Sequence, residues 1–160
     1  MTIDPAEFRR VLGHLATGVS IVAARDPHSG DPHGLTVSAI ASVSLEPSLV
    51  LVCIEQSADS HELVRTAGAF SINLLADDQE RLSRHFAESE GGEKFRGIAW
   101  HEAVTGAPVL DDVLAWVDCR LWAEYPGGDH TIFVGEVIDA NAREGVPLIH
   151  YRGGYGRYEP

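Results

Sequence analysis

At 160 residues and 44% hydrophobic, with three Trp, five Phe and four Tyr, the chain is the size of one domain able to bury a sizeable core. Its formal charge of −12 and pI near 4.9 argue against nucleic acid or anionic lipid as partners, so an anionic ligand must be held by local donors. One lysine, Lys94, stands among 12 basic residues, so cationic contacts fall mostly to arginine, and two cysteines without short spacing exclude a disulfide framework or zinc knuckle.

The stretch IDPAEFRRVLGHLATG predicts the first helix. Asp4 is its cap, Pro5 its first residue and Glu7 the partner in a capping box; Phe8, Val11, Leu12 and Leu15 repeat at helical spacing up to an end near Gly18. VSIVAA reads as a strand and RDPHSGDPHG as a turn, so a hairpin is expected. From Leu35 to Leu45 the pattern has period two. Leu35, Val37, Ala39, Ala41, Val43 and Leu45 share one face, and Thr36, Ser38, Ser42 and Ser44 the other, with Ile40 the exception. After Glu46-Pro47, SLVLVCIE reads as a strand buried on both faces.

SADSHELVRTAG predicts a short helix capped by Asp59 or Ser60 and stopped by Gly68. FSINLL is a strand, and ADDQERLSRHFAE a helix with Leu82 and Phe86 turned inward. SEGGEKFRG reads as an open connection and TGAPVL as a turn. AWVDCRLWAEY and HTIFVGEVIDA are then two long strands joined by Pro-Gly-Gly, and VPLIHYRGGYGRY is a last strand with an aromatic tail. This order predicts an α+β fold, mainly antiparallel, curled into a barrel and forming a single domain over 1–160. With no basic leader and no apolar run of membrane length, a soluble cytoplasmic protein is expected.

Motifs for common chemistries are missing. There is no GxSxG, GxGxxG or GxxxxGK[ST]; HELVR lacks the second histidine of HExxH; and the Asp and His of DPHSGDPH have no metal spacing. Both thiols sit in strands with nothing to lower their pKa. What remains is a row of hydroxyls at Thr36, Ser38, Ser42 and Ser44, continued by Ser57 and Ser60, suited to a polyol and a phosphate without a basic patch. Gly-Gly-Asp-His at 127–130 also places an imidazole at the mouth of a hairpin.

Three stretches in this order, GLTVSAIASVSLEPSLVLVCI, AFSINLLADDQERLSRHFA and GGDHTIFVGEV, resemble the flavin reductase family, as does PLIHYRGGYGRY at the end. The resemblance runs from about Phe8 to Tyr158, with Ser48 and Ala41 departing from the family's usual residues. It implies an FMN-binding split β-barrel with a Greek-key core and short helices, usually a homodimer. It also implies an NAD(P)H:flavin oxidoreductase, with FMN or FAD as flavin and NADH or NADPH as donor, that supplies reduced flavin to a partner monooxygenase. Carried onto this chain, Thr36, Val37, Ser38, Ala39, Ser42, Val43 and Ser44 would run beside the ribityl chain and ring. Glu55, Gln56, Ser57 and Ser60 would lie along the phosphate, Arg84 and Phe86 near the flavin, and Lys94 and Phe95 near its phosphate or adenylate end. His130 would contact the nicotinamide, with Asp129 holding the turn or the imidazole tautomer; no metal is expected.

Two rival readings predict different behaviour. A pyridoxamine-phosphate oxidase relative would concentrate Arg and Lys into a phosphate clamp, whereas these arginines are spread along the chain. A non-catalytic module holding flavin or haem would make His130 dispensable and NADH without effect.

Overall fold

Helix α1 (Pro5–Leu12) begins as expected, with Asp4 Oδ1 accepting from the N–H groups of Ala6 and Glu7 at 2.8 and 3.3 Å. In the computed structural model, which describes residues 2–159, the helix stops at Leu12 rather than near Gly18: after the Gly13 N–H bond to Arg9 the chain tightens into turns in which the N–H groups of His14 and Leu15 donate to the carbonyls of Val11 and Leu12. Glu7 closes no capping box; its carboxylate takes two bonds from Arg10, at 2.7 and 2.6 Å. The apolar stripe of α1 is left uncovered: Phe8, Val11, Leu12 and the following Leu15 are all exposed.

The short strand β1 (Thr17–Gly18) leads into β2 (Ser20–Arg25), which pairs with β3 (Pro32–Val37) as the expected hairpin. Ile21 and Ala23 point into one apolar cluster and Val22 and Ala24 into another, which is why this strand reads as an unbroken apolar run. The single strand expected over 35–45 is two. β3 ends at Val37, Ser38 and Ala39 form a link, and β4 (Ile40–Leu45) pairs with β5 (Ser48–Glu55). Crossing the link breaks the alternation, and a bulge at Val43 shifts it again, so Ala41, Val43 and Leu45 face out, Leu45 with 87% of its surface exposed.

Helix α2 (Asp59–Ala67) has Ala58 at its cap, with no capping side chain; Asp59 and Ser60, expected as caps, are its first two residues. Gly68, at φ +65°, ends it as expected. β6 (Ala69–Leu74) and α3 (Glu80–Glu88) follow, with Phe86 fully buried and Leu82 partly so. The connection expected to be open is a 3₁₀ turn over Gly91–Phe95, pinned by the buried Phe95. TGAPVL, expected as a turn, supplies strand β8 (Pro108–Leu110), paired with β7 (Trp100–Glu102). The Leu110 N–H donates to Asn73 Oδ1 at 2.9 Å and the Ser71 hydroxyl to the Pro108 carbonyl, so buried polar groups of β6 fix that strand. β9 (Ala115–Gly127) and β10 (His130–Ala142) form the long hairpin, and the final segment is itself a hairpin of β11 (Leu148–Tyr151) and β12 (Gly154–Arg157).

Seven strands make one antiparallel sheet in the order β3-β2-β6-β9-β10-β5-β4. Its two edge strands are consecutive in the chain and only Ser38 and Ala39 apart, so the sheet curls until those edges meet, giving a barrel split along the β3–β4 seam. Inside lie Phe70, Phe133, Val52, Ile54, Ile72 and Cys119, with Val64 of α2 joining the same cluster. A second cluster, around Ile21, Leu75, Phe86, Leu110 and Leu148, packs α3 and the 3₁₀ turn onto the outside of β2. Each fully buried Phe contributes about 1.5–3 kcal/mol relative to exposure. Gly135 is where β10 passes closest to its neighbours: a Cβ there would lie 2.6 Å from Phe70 Cζ and 2.7 Å from Cys119 Cβ. Among the described residues no helix is long and apolar enough to cross a membrane, and no group of three or more His, Cys, Asp or Glu could hold a metal.

Candidate active site

The ladder brings the separated candidates onto one rim. Ser38 and Ala39 are exposed in the seam link, and the Ala39 carbonyl accepts from the Cys53 N–H at 3.0 Å. From Cys53 the last residues of β5 run to Glu55, which pairs with His130 at the start of β10. The link, the end of β5 and the mouth of the β9–β10 hairpin are therefore neighbours. Ser42, Val43 and Ser44 continue from the link along edge strand β4, where no further strand covers them.

At the hairpin mouth His130 is partly exposed, and its Nδ1 lies 2.7 Å from Asp129 Oδ1. That hydrogen bond holds the Asp129 carboxyl below its usual range, so it stays an acceptor and selects the tautomer protonated on Nδ1. The Nε2 lone pair is then free to accept from an amide N–H. Gln56 clasps the same turn: its N–H donates to the Asp129 carbonyl at 2.9 Å, and its amide nitrogen to the carbonyls of Gly128 and His130 at 3.4 and 3.3 Å.

Glu55, Gln56 and Ser57 lead into α2, and the Ser57 hydroxyl donates to Glu55 Oε1 at 2.8 Å. α2 has no capping side chain; the His61 N–H donates to the Ala58 carbonyl at 2.9 Å, which leaves the N–H groups of Asp59 and the buried Ser60 at the start of the helix for an acceptor. Lys94 is half-buried in the 3₁₀ turn. Burial pulls its pKa below the ordinary lysine value, opposed by the carboxylates of Asp59 and Glu90.

The remaining candidates lie on β3, α3 and the 3₁₀ turn, where these elements pack together. The Thr36 hydroxyl donates to the Ser83 carbonyl at 2.6 Å, and Val37 is buried in the barrel cluster. Phe86 has no exposed surface; it packs edge-on against Phe95 and so close to Gly34 that a Cβ there would lie 3.0 Å from its ring. In this position Phe86 supports β3 from beneath. Arg84 pairs with Glu80 at 2.8 Å and lies over the Tyr155 ring at 4.9 Å, while the Tyr155 hydroxyl is 2.8 Å from Ser83 Oγ.

A cleft of about 370 Å³ next to the seam is lined by Leu15, Thr17, Gly18, Ser38, Ile40 and Leu74, among others. Thr17 Oγ1, on its wall, is buried with no hydrogen-bond partner in the structure. A larger cleft of about 410 Å³, between the 25–30 loop and 105–107, contains none of the predicted residues. Sequence reasoning missed Tyr155 and the buried pair His61 and Thr131, because each acts through a contact distant in sequence, and Thr17, because its burial on the cleft wall is set by the fold.

An acidic barrel with a rim of neutral hydroxyls, a turn histidine and one local lysine has known counterparts. Residues 12–159 match the flavin reductase like domain. The chain belongs to the flavin reductase family. As a flavin reductase it is 44% identical over 158 residues, 99% of its length and 83% of the other's, to the reductase component of a 4-nitrophenol 4-monooxygenase/4-nitrocatechol 2-monooxygenase of Rhodococcus opacus. It is 41% identical to an FMN reductase (NADH) of Agrobacterium fabrum over 94% of this chain and 84% of that one. The reductase also superimposes on an NADH:FAD oxidoreductase of Streptomyces globisporus, solved with NAD and FAD fragments, with a TM-score of 0.90 and 33% identity, covering 100% of this chain and 98% of that one. The reductase is thus an oxidoreductase of split-barrel fold acting on flavin.

Proposed function

We propose that the reductase binds flavin along the seam and the α2 start, binds a nicotinamide nucleotide at His130, and supplies the reduced flavin to a monooxygenase. The observation that carries this reading is the rim itself, where the ladder pair His130 and Glu55 and the bond from Cys53 to Ala39 join three separate sequence segments. The donor set suits a flavin nucleotide. Ser38, Ser42 and Ser44 offer neutral hydroxyls at the edge of the sheet, and the uncapped N–H groups of Asp59 and Ser60, with Lys94, offer local donors for a phosphate on a chain of charge −12. Thr17 Oγ1, buried and unpartnered beside Ser38, marks the adjoining cleft as a place where a polar contact is still to be made.

When bound, flavin supplies the ring nitrogen that accepts a hydride from the nicotinamide C4. The protein's part is orientation. Asp129 fixes the His130 tautomer, Nε2 accepts from the carboxamide of the nicotinamide, and the Gln56 clasp keeps the imidazole in place. No side-chain nucleophile is required, consistent with both thiols being held protonated: burial raises Cys53, and burial with Asp118 alongside raises Cys119 to about 12.

The assembly is read as a homodimer in the cytoplasm. Exposed Phe8, Val11, Leu12 and Leu15 on and after α1, together with Val43 and Leu45 on β4, form apolar surface that a second copy would cover. The test is anaerobic mixing with NADH or NADPH and FMN or FAD, following loss of oxidised flavin absorbance. The expected result is bleaching with at least one pair, slowed about 10- to 100-fold by His130→Ala. Absence of bleaching with every pair, despite flavin binding, overturns the proposal; equal rates in the variant remove His130 from it.

A further inference from the structure

We propose that His61 is a positioning residue that couples the flavin-phosphate side of the site to the strand carrying His130; this rests on the reading of the site given above. His61 lies in the first turn of α2 and is 6% exposed, and its Nε2 is hydrogen-bonded to Thr131 Oγ1 at 2.7 Å. Thr131, 5% exposed, directly follows His130. Each half of the pair is thus one residue from a proposed ligand contact, Ser60 on one side and His130 on the other.

The rest of the packing makes this bond matter. α2 rests chiefly on β2, β3 and β6 and shares the barrel cluster with Phe133 through Val64; the directional tie to β10 is the His61–Thr131 bond, beside which the imidazole packs 5.3 Å from the Phe133 ring. In front of it, Gln56 ties the loop leading into α2 to the 128–130 turn. The start of α2 and the hairpin mouth therefore behave as one hydrogen-bonded unit. A second tie from α2, the Arg65 bridge to Glu124 of β9, is exposed and screened by solvent.

A buried pair of this kind adds little net stability, because apolar groups of the same shape pack equally well; its value lies in fixing one geometry. Here the geometry fixed is the distance between the start of α2 and the His130 strand. A phosphate bound at that first turn holds α2, and through His61 it holds Thr131 and the residue before it. By reciprocity, a nicotinamide nucleotide held by His130 tightens flavin binding by the same factor.

The test measures coupling rather than turnover. FMN affinity is read from quenching of its fluorescence, without and with saturating NAD⁺, which is already oxidised and cannot react. In the wild type, NAD⁺ is expected to tighten FMN about 5-fold or more. His61→Leu and, independently, Thr131→Val are expected to bring that ratio close to one while each ligand still binds alone. His61→Gln, which sets an amide near the Nε2 position, is expected to restore most of it. The proposal is overturned if the ratio survives in both the Leu and Val variants, if His61→Gln is as uncoupled as His61→Leu, or if the wild type shows no effect of NAD⁺. Failure of the wild type to bind either nucleotide would instead overturn the reading of the site, a result distinguishable from the loss of coupling alone.

Discussion

Raising the pH above 9 tests how tightly the barrel encloses Cys119. Its thiol, fully buried between β6 and β10, is held up at about 12 by burial first and by neighbouring Asp118 second, against an ordinary value of 9.0. The folded state therefore keeps a proton that the unfolded chain releases between those values, so the stability tied to this thiol is fully present below pH 9 and lost as pH rises toward 12. Taking those two values, the loss is about 1 kcal/mol by pH 10 and between about 2 and 3 kcal/mol by pH 11. The assay is urea unfolding of wild type and Cys119→Ala at half-unit steps from pH 8 to 11. The cavity cost of the alanine is independent of pH, and the titrations of lysine and tyrosine are common to both proteins, so the change in their stability difference isolates the thiol. A difference that stays constant to pH 11 would refute the enclosure argument.

Gly135→Ala is expected to cost about 1–3 kcal/mol in the same unfolding assay, since the new methyl meets Phe70 and Cys119 at under 3 Å. Asp129→Asn should leave the fold intact but free the imidazole tautomer, raising KM for the nicotinamide nucleotide more than KM for flavin. Because His130 keeps the Asp129 carboxyl below its usual range, the wild type should show no acid limb from Asp129 across an assay range of about pH 5–8. Lys94→Met should raise KM for FMN several-fold and leave KM for riboflavin, which lacks a phosphate, nearly unchanged; equal effects on both would remove Lys94 from the phosphate side.

How much of this was legible depended on whether a residue's role is local. Asp4, Pro5, Gly68 and the Gly-Gly-Asp-His turn act within a few residues of themselves, and the structure finds each in its expected place. Period two assumes an unbroken strand, and in LTVSAIASVSL the one mark of the Ser38–Ala39 crossing is Ile40, the apolar exception on the hydroxyl face and the first residue of β4; nothing marks the Val43 bulge. The contacts of Phe86 and Thr36 with Gly34, Phe95 and Ser83 join β3, α3 and the 3₁₀ turn, elements far apart in the chain, so no local pattern announces them. In HELVR His61 shows only an incomplete metal motif, because its partner Thr131 is 70 residues away.

The seam between β3 and β4 has a consequence for the chain's connectivity. The two edge strands share no ladder, so the ring of seven strands is completed by the covalent link through Ser38 and Ala39 rather than by backbone pairing. The link itself is held to the barrel by the bond from the Cys53 N–H to the Ala39 carbonyl. Ser38 of the link also borders the cleft, so on the proposed reading a planar ring would enter at a joint in the barrel wall.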